Sequence, residues 1–310
     1  MQFKRIKRAV NGVLLLDKPA GITSNAALQI AKRLFQAEKA GHTGTLDPFA
    51  HGLLPLCLGE ATKFSQYLLD ADKAYRAVMR LGVTTTTGDP EGEVLDTRPV
   101  NVTPADLNAA IARFIGTTEQ TPPMYSALKH QGRPLYEYAR AGIEIARKSR
   151  HIHIRAIDLC AFDGTRATIN VRCSAGTYIR TLAEDIGRVL GCGAHLTALA
   201  RTASGGFQLD QAVSLALLEN SDMAARDQLL LPVDSLVAYL PRIELNGAES
   251  AALLKGQRQT LAACTQLAGL VRAYDCQQRF FGLVELHANG LAIARRLMNS
   301  NLSPMQNPVQ

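Results

Sequence analysis

Residues 40–58, AGHTGTLDPFAHGLLPLCL, constrain the fold more than any other stretch of this chain. Three glycines (Gly41, Gly44, Gly52) and two prolines (Pro48, Pro55) deny its first half any helical or strand periodicity. The apolar run from Leu53 to Leu58 then reads as a buried strand. Asp47 stands directly before Pro48, which biases it towards an extended backbone, and His42 and His51 lie a few residues away. The result is a chemically equipped loop fixed between ordered elements, and function concentrates in such loops. Asp-Pro is also an ordinary turn starter, so the case for Asp47 as a catalytic carboxylate depends on what other segments bring to it.

A chain of 310 residues with 47% hydrophobic content suits one large domain plus a small one, with ample core. The absence of Trp and an aromatic content of 5% speak against an aromatic-lined sugar groove. No apolar run approaches the roughly 20 residues of a membrane span. The basic first eight residues lead to Asn11, Gly12, Asp17 and Lys18 without a small-residue cleavage site, so no secretory signal is expected. The cysteines (Cys57, Cys160, Cys173, Cys192, Cys264, Cys276) form no CxxC pair, which suggests free thiols in a reducing cytoplasm. Cys192 and His195 have C-x-x-H spacing, but no second ligand pair is near, so no metal is expected.

The net charge of +7 is concentrated. Lys4, Arg5, Lys7 and Arg8 give +4 within eight residues, and residues 124–155 give +5 from seven cations against Glu137 and Glu144. Localised positive charge is the footprint of a polyanion; the plainer reading is a solvated basic surface. Tyr136 and Tyr138 interleave with Arg133 and Arg140, which suits a nucleic-acid contact or an arm packing on its own domain.

In chain order, residues 12–16 read as a buried strand, and Asp17-Lys18-Pro19-Ala20-Gly21 as a turn. Thr23 or Ser24 caps a helix running to about Ala37. After the central loop and its strand, residues 59–62 lead into a helix carrying Phe64, Tyr67 and Leu68. Residues 73–81 read as a strand, and residues 84–100 as loop. Thr103-Pro104-Ala105-Asp106 opens a helix that ends near 114–116. Residues 151–162 and 168–174 read as strands joined at Asp163-Gly164, and residues 176–190 as a helix with Ile179, Leu182, Ala183 and Ile186 in one stripe. Beyond Pro241 the composition shifts to three alternating runs at 268–274, 280–286 and 291–297, a small β-rich domain. The division expected is a catalytic domain at 1–240 with its basic arm at about 124–150, a β-rich domain at 241–299, and a polar tail at 300–310.

Three segments present functional groups without a packing role: Lys18/Pro19/Gly21, His42 to Asp47, and Gly176-Thr177-Tyr178-Ile179-Arg180. Arg180, opening a helix beside apolar Ile179, calls for a carboxylate, and Asp47 is the natural one. A glycosidase would need a second facing carboxylate, for which Glu60 and Asp185 are the nearest guesses. No GK[ST] follows the glycine loop, so it is no P-loop.

Taken in order, Lys18-Pro19-x-Gly21-x-Thr23-Ser24, then Gly41-His42-Thr43-Gly44-Thr45-Leu46-Asp47-Pro48, Tyr75 in KAYRAVMRLG, and Gly176–Arg180 with Asp185-Ile186-Gly187 resemble the motifs of the TruB pseudouridine synthases. The resemblance runs from about Gly12 to Arg201 and more loosely through the tail. It implies an α+β pseudouridine synthase fold with a mixed, largely antiparallel sheet and a C-terminal PUA-like RNA-binding domain. It also implies isomerisation of uridine 55 in the tRNA T-loop to pseudouridine by base flipping, with no cofactor or metal. Asp47 matches the catalytic aspartate, nucleophile or base at the ribose or uracil, and Arg180 its ion-pair partner. Tyr75 matches the tyrosine that stacks on the target base and helps deprotonate it. His42 matches the residue that fills the place of the flipped nucleotide, and Tyr178 and Leu199 further substrate contacts. Lys18 and Pro19 match a supporting motif. The basic segment, with Lys129, Arg133, Arg140, Arg147 and Lys148, resembles the family's mobile arm that closes on the T-arm, while the tail would reach the acceptor stem. A cytoplasmic monomer is expected.

The sequence departs from the family at Ala175 and Ala200, where relatives often carry basic residues, and each departure puts one phosphate contact in doubt. Two other functions fit parts of the chain. A tRNA-binding or tRNA-folding module would use the arm without chemistry, and an N-glycoside hydrolase would need the second carboxylate.

Overall fold

The computed structural model describes residues 7–261 and 267–299; Lys4, Arg5, Cys264 and the tail at 300–310 lie outside them. The elements follow one another as β1 (Gly12–Lys18), α1 (Ser24–Leu34), β2 (Ala40–His42), β3 (His51–Leu58), α2 (Ser65–Leu69), β4 (Lys73–Leu81), β5 (Val83–Thr85), β6 (Val94–Thr97), α3 (Pro104–Ala112) and β7 (Gly116–Gln120). The arm carries β8 (Lys129–His130), β9 (Arg133–Pro134) and α4 (Leu135–Arg140). β10 (Arg150–Phe162), β11 (Arg166–Cys173), α5 (Ile179–Val189), β12 (Ala194–Ser204), β13 (Phe207–Gln208) and β14 (Val213–Ser214) complete the large sheet.

That sheet runs β14-β1-β3-β12-β4-β11-β10-β7, with β2 on β3 and β13 on β12. Pairing is antiparallel except at β1/β14 and β3/β12, so the sheet is mixed and largely antiparallel as expected. On β4, Ala77, Met79 and Leu81 join Ile169 and Val171 of β11, Leu196 of β12 and the α5 stripe in one core. Leu14, Leu16, Leu54 and Leu56 pack on the other side of the sheet against Ala27, Leu28 and Ala31 of α1.

The helix ends follow from their caps. The Thr23 hydroxyl accepts the Ala26 N–H at 3.0 Å, so Thr23 is the cap of α1. α1 stops at Leu34, short of Ala37, because Gln36 adopts φ 50° and turns the chain. Thr103 and Asp106 form a reciprocal capping box at α3.

Three expectations need correction. Residues 84–100 are not all loop: β5 and β6 pair as a hairpin whose outer residues Val94 and Leu95 are exposed, leaving no apolar alternation to read. The glycine-rich stretch is not free of pairing, since β2 takes up the β3 edge with Gly41 opposite Cys57. β12 passed unnoticed although it lies at the centre of the sheet; both its faces are largely covered, so its Ala/Leu pattern lacks alternation.

A second sheet is formed by β15 (Arg242–Glu244), β16 (Gln259–Thr260), β17 (Gly269–Tyr274), β18 (Phe280–Leu286) and β19 (Leu291–Leu297), in the order β15-β17-β18-β19-β16. It has its own core around Leu253, Val271 and Val284. Phe280 meets Phe64 of the larger unit at 5.4 Å between ring centres, and the Glu60 carboxylate accepts the Asn299 N–H at 2.7 Å. Arg8, counted in the basic N-terminal run, is tied to Asp227 at 2.7 Å and to the Phe35 carbonyl at 2.9 Å.

Candidate active site

The Asp47 loop is pinned from three sides. Ser24, 1% exposed in the first turn of α1, accepts the Leu46 N–H at 2.8 Å and donates to the Leu46 carbonyl at 2.9 Å. The Lys18 ammonium, fully buried at the end of β1, donates to the carbonyls of Pro19 (2.8 Å), Ile22 (2.7 Å) and Pro48 (3.4 Å). Pro48 also accepts the Gly21 N–H at 2.8 Å. From β12, Arg201 donates to the Leu53 carbonyl at 2.7 Å and the Gly44 carbonyl at 3.3 Å. The first motif is therefore a brace for the second, and Pro19 itself is exposed.

Asp47 emerges from this frame onto a cleft with its side chain 32% exposed. Arg180, 3% exposed at the start of α5, meets it bidentately along one edge of the guanidinium: Nε to Oδ2 at 2.9 Å and Nη2 to Oδ1 at 3.2 Å. The other Arg180 donors reach the Thr87 carbonyl (2.9 Å) and the Tyr125 carbonyl (2.7 Å), and Asp89 stands 3.5 Å away. Sequence reading paired Arg180 with Asp47 and missed Asp89, which lies in a segment read as plain loop. Burial pushes the Asp47 carboxyl above its ordinary range; the Arg180 cation opposes this, and Asp89 adds to it.

Two cavities, of about 450 and 340 Å³, meet at Asp47. The smaller is lined by Tyr75, Tyr178, Leu199 and Arg201, with Asp47 and Arg180 on its wall. Tyr75 on β4 stands opposite Arg201 on β12 in register. Burial raises the Tyr75 phenol pKa, with the Arg201 cation pulling the other way. Tyr178 is held by Gln120, which donates to its carbonyl at 3.0 Å and accepts its N–H at 2.8 Å. Arg150 lies over the Tyr178 ring at 4.9 Å. The larger cavity carries His42, Asp89, Glu91, Tyr136 and Arg140. Burial lowers the His42 pKa, holding the ring neutral, and its Nδ1 is buried without a partner.

The fold thus gathers Asp47, Arg180, Tyr75, His42, Tyr178 and Leu199 from four separate segments around one cleft. Glu60 and Asp185, the guesses for a second carboxylate, line neither cavity; Glu60 binds Lys63 and Asp185 binds Arg188. His195 is a buried structural residue whose Nδ1 meets the Val83 carbonyl at 2.8 Å. Among the described residues no group of three or more His, Cys, Asp or Glu gathers as a metal site, and the five described cysteines are free. No helix among them is long and apolar enough to cross a membrane.

Of the arm cations, Lys129, Arg133, Arg140 and Lys148 are exposed. Arg133 pairs with Glu137 at 2.7 Å and lies over Tyr138, while Arg140 lies over Tyr136. Arg147 is more enclosed; it pairs with Glu144 at 3.0 Å and lines a separate cavity with Glu184 and Asp185. Sequence reading gave Arg201 no role; it is 1% exposed and bound to carbonyls, a cross-brace between β12 and the Asp47 loop.

Residues 32–179 match the TruB family pseudouridylate synthase N-terminal domain, residues 180–238 the tRNA pseudouridylate synthase B C-terminal domain, and residues 241–298 the pseudouridine synthase II TruB C-terminal domain. A tRNA pseudouridine synthase B of Thiobacillus denitrificans is 64% identical over 96% of this chain and 98% of its own. One from Chromobacterium violaceum is 57% identical over 94% and 96%. In structure, the archaeal box H/ACA sRNP Nop10-Cbf5 complex contains a chain that superposes with TM-score 0.66 at 27% identity, over 92% of this chain and 85% of that one. An H/ACA RNP bound to a substrate RNA containing 2′-deoxyuridine gives TM-score 0.68 at 25% identity, over 94% and 85%. With nearly its whole length matched, this chain belongs to the TruB family of pseudouridine synthases.

Proposed function

We propose that this protein isomerises uridine 55 in the T-loop of tRNA to pseudouridine, with Asp47 as the catalytic carboxylate. The observation that carries the reading is the position of Asp47: ion-paired to a buried Arg180, partly exposed, and set where two cavities meet, one of them walled by Tyr75. The reaction breaks the N1–C1′ bond, turns the uracil over and forms C5–C1′; C5 loses a proton and N1 gains one, so nothing else is consumed. A base inside a folded loop must leave its stack first, at a cost of a few kcal/mol. Tyr75, Tyr178 and Leu199 offer that base an apolar slot beside Asp47. Arg180 orients the carboxylate and favours its ionised form against burial. Tyr75 stacks on the base and takes part in its deprotonation. The neutral His42 ring fills the place that the base vacates.

The RNA contacts follow the charge. On this reading the arm at about 124–150, with Lys129, Arg133, Arg140, Arg147 and Lys148, closes on the T-arm, and the PUA-like unit at 241–299 reaches the acceptor stem, with 1–240 as the catalytic unit. The protein acts in the cytoplasm as a monomer. The test is an unmodified tRNA transcript incubated with the purified protein, with pseudouridine mapped by carbodiimide-blocked primer extension. A stop at position 55 supports the reading. Tight binding without any stop would favour a tRNA-binding module, and release of free uracil would favour a hydrolase.

A further inference from the structure

Four cationic side chains line the Tyr75 cavity: Lys73, Arg150, Arg180 and Arg201. Three are committed within the protein. The Lys73 ammonium, 7% exposed, donates to the carbonyls of Leu68, Leu69 and Ala71 at 3.2, 2.5 and 2.6 Å. Arg180 serves Asp47 and two carbonyls, and Arg201 serves Leu53 and Gly44. Arg150 differs. It uses one terminal N–H on the Gly176 carbonyl, its Nε has no partner, and it has no carboxylate partner among the described residues. Its guanidinium is nevertheless held in place, stacked on Tyr178 at 4.9 Å, while Gln120 fixes the Tyr178 backbone on both sides.

We infer that Arg150 is the phosphate anchor of the active site, binding a phosphate that flanks the flipped nucleotide. A nucleotide entering this cavity carries a negative charge at its mouth, and Arg150 is the one of the four lining cations that is not buried and that gives the protein a single hydrogen bond. A planar guanidinium suits phosphate bidentately, and a plane already stacked on an aromatic ring loses little freedom on binding. Arg133 and Arg147 of the arm, by contrast, are each paired with a glutamate. Arg150 acts as a positioning residue: it fixes the backbone so that the base lies against Tyr75 and the glycosidic bond lies near Asp47. The inference rests on the reading that the target base enters this cavity.

The test uses the full-length protein and a T-arm RNA in three forms: unmodified, or with a single uncharged methylphosphonate 5′ or 3′ of the target uridine. Arg150→Met keeps the apolar stem against Tyr178 and removes the charge; Arg150→Lys keeps the charge without the fork. Kd is measured across a salt series, with pseudouridine formation on the same RNAs. Arg150→Met should bind the unmodified RNA about 10-fold more weakly. The slope of log K against log salt should shrink by about 0.7, the value for one phosphate of a single strand. Arg150→Lys should keep the slope. One methylphosphonate should weaken the wild type by a similar factor and leave Arg150→Met nearly unaffected. Losses that add independently at both phosphate positions, or an unchanged salt slope, would overturn the inference and leave Arg150 as a brace for Tyr178. If Arg150→Met fails to fold, the same comparison is read on Arg150→Gln, which also removes the charge. If the wild type binds but makes no pseudouridine, the proposed reaction fails while the binding comparison still decides the contact. Absence of binding by the wild type would sink both.

Discussion

Gly52 is where the backbone packing behind Asp47 can be tested without touching a functional side chain. It lies in β3 at φ +102°, opposite Lys18 of β1 and Arg201 of β12, the two residues that brace the catalytic loop. A Cβ at this position would stand 2.5 Å from the Arg201 carbonyl oxygen and 2.9 Å from its nitrogen, backbone atoms that cannot swing aside. Gly52→Ala therefore costs about 1–2 kcal/mol for the left-handed backbone and about 1–3 kcal/mol for the overlap, roughly 2–5 kcal/mol together. Gly164→Ala is the matched control: φ is +96°, and no atom lies within 4 Å of the new Cβ. It should show only the backbone cost. At about 2–4 °C per kcal/mol, Gly164→Ala should lower Tm by a few degrees and Gly52→Ala by roughly 5–15 °C, read by thermal and urea unfolding. Gly52→Ala should also lose most pseudouridine formation at temperatures where it remains folded, because Arg201 is pushed from Gly44 and Leu53. Equal destabilisation by the two variants would refute the close approach of β3 to β12.

Lys18 gives a proton-linkage prediction. Burial lowers its pKa from the usual 10.5 to about 8, so between those values the unfolded chain holds a proton that the folded chain lacks. Stability from this group therefore rises with pH across that window, by up to about 1.4 kcal/mol per unit. Lys18→Met should flatten the rise between pH 8 and 9.5 in urea titrations, and an unchanged slope would remove Lys18 from the account. Ser24→Ala strips both partners from the Leu46 backbone and should cost about 1–3 kcal/mol, with a larger loss of turnover than of tRNA affinity. Equal losses in both would make Ser24 a general stabiliser rather than a loop brace.

The legible parts of this fold are those where local chemistry and periodicity agree. Thr103 with Asp106 announced α3, Thr23 began α1, and the stripe Ile179-Leu182-Ala183-Ile186 marked α5. Asp47 and Arg180 could be paired in advance because an arginine opening an apolar helix needs a carboxylate; they meet at 2.9 Å. What stayed hidden depends on tertiary context. β12 is covered on both faces, so nothing in AHLTALARTAS alternates, and nothing in it marks Arg201 as 1% exposed. Asp89 sits in a polar, turn-rich segment whose one apolar pair, Val94 and Leu95, points outward. Its role beside Arg180 exists only once that hairpin folds back on α5. The Lys18 side chain was assigned a supporting role through its motif; two of its carbonyl acceptors, Pro19 and Ile22, are local, but the third, Pro48, lies in the Asp47 loop and is reached only in the folded chain.

In the proposed reaction the carboxylate at position 47 performs the chemistry in a cleft that binds RNA by other means. Asp47→Asn keeps the size of the side chain and an oxygen for Arg180 while removing the charge. The decisive measurement is pseudouridine at position 55 of an unmodified tRNA transcript, with Kd determined on the same preparation for wild type and Asp47→Asn. Similar affinity is expected for both, with product from the wild type alone. Product from Asp47→Asn at a rate near the wild type would contradict it.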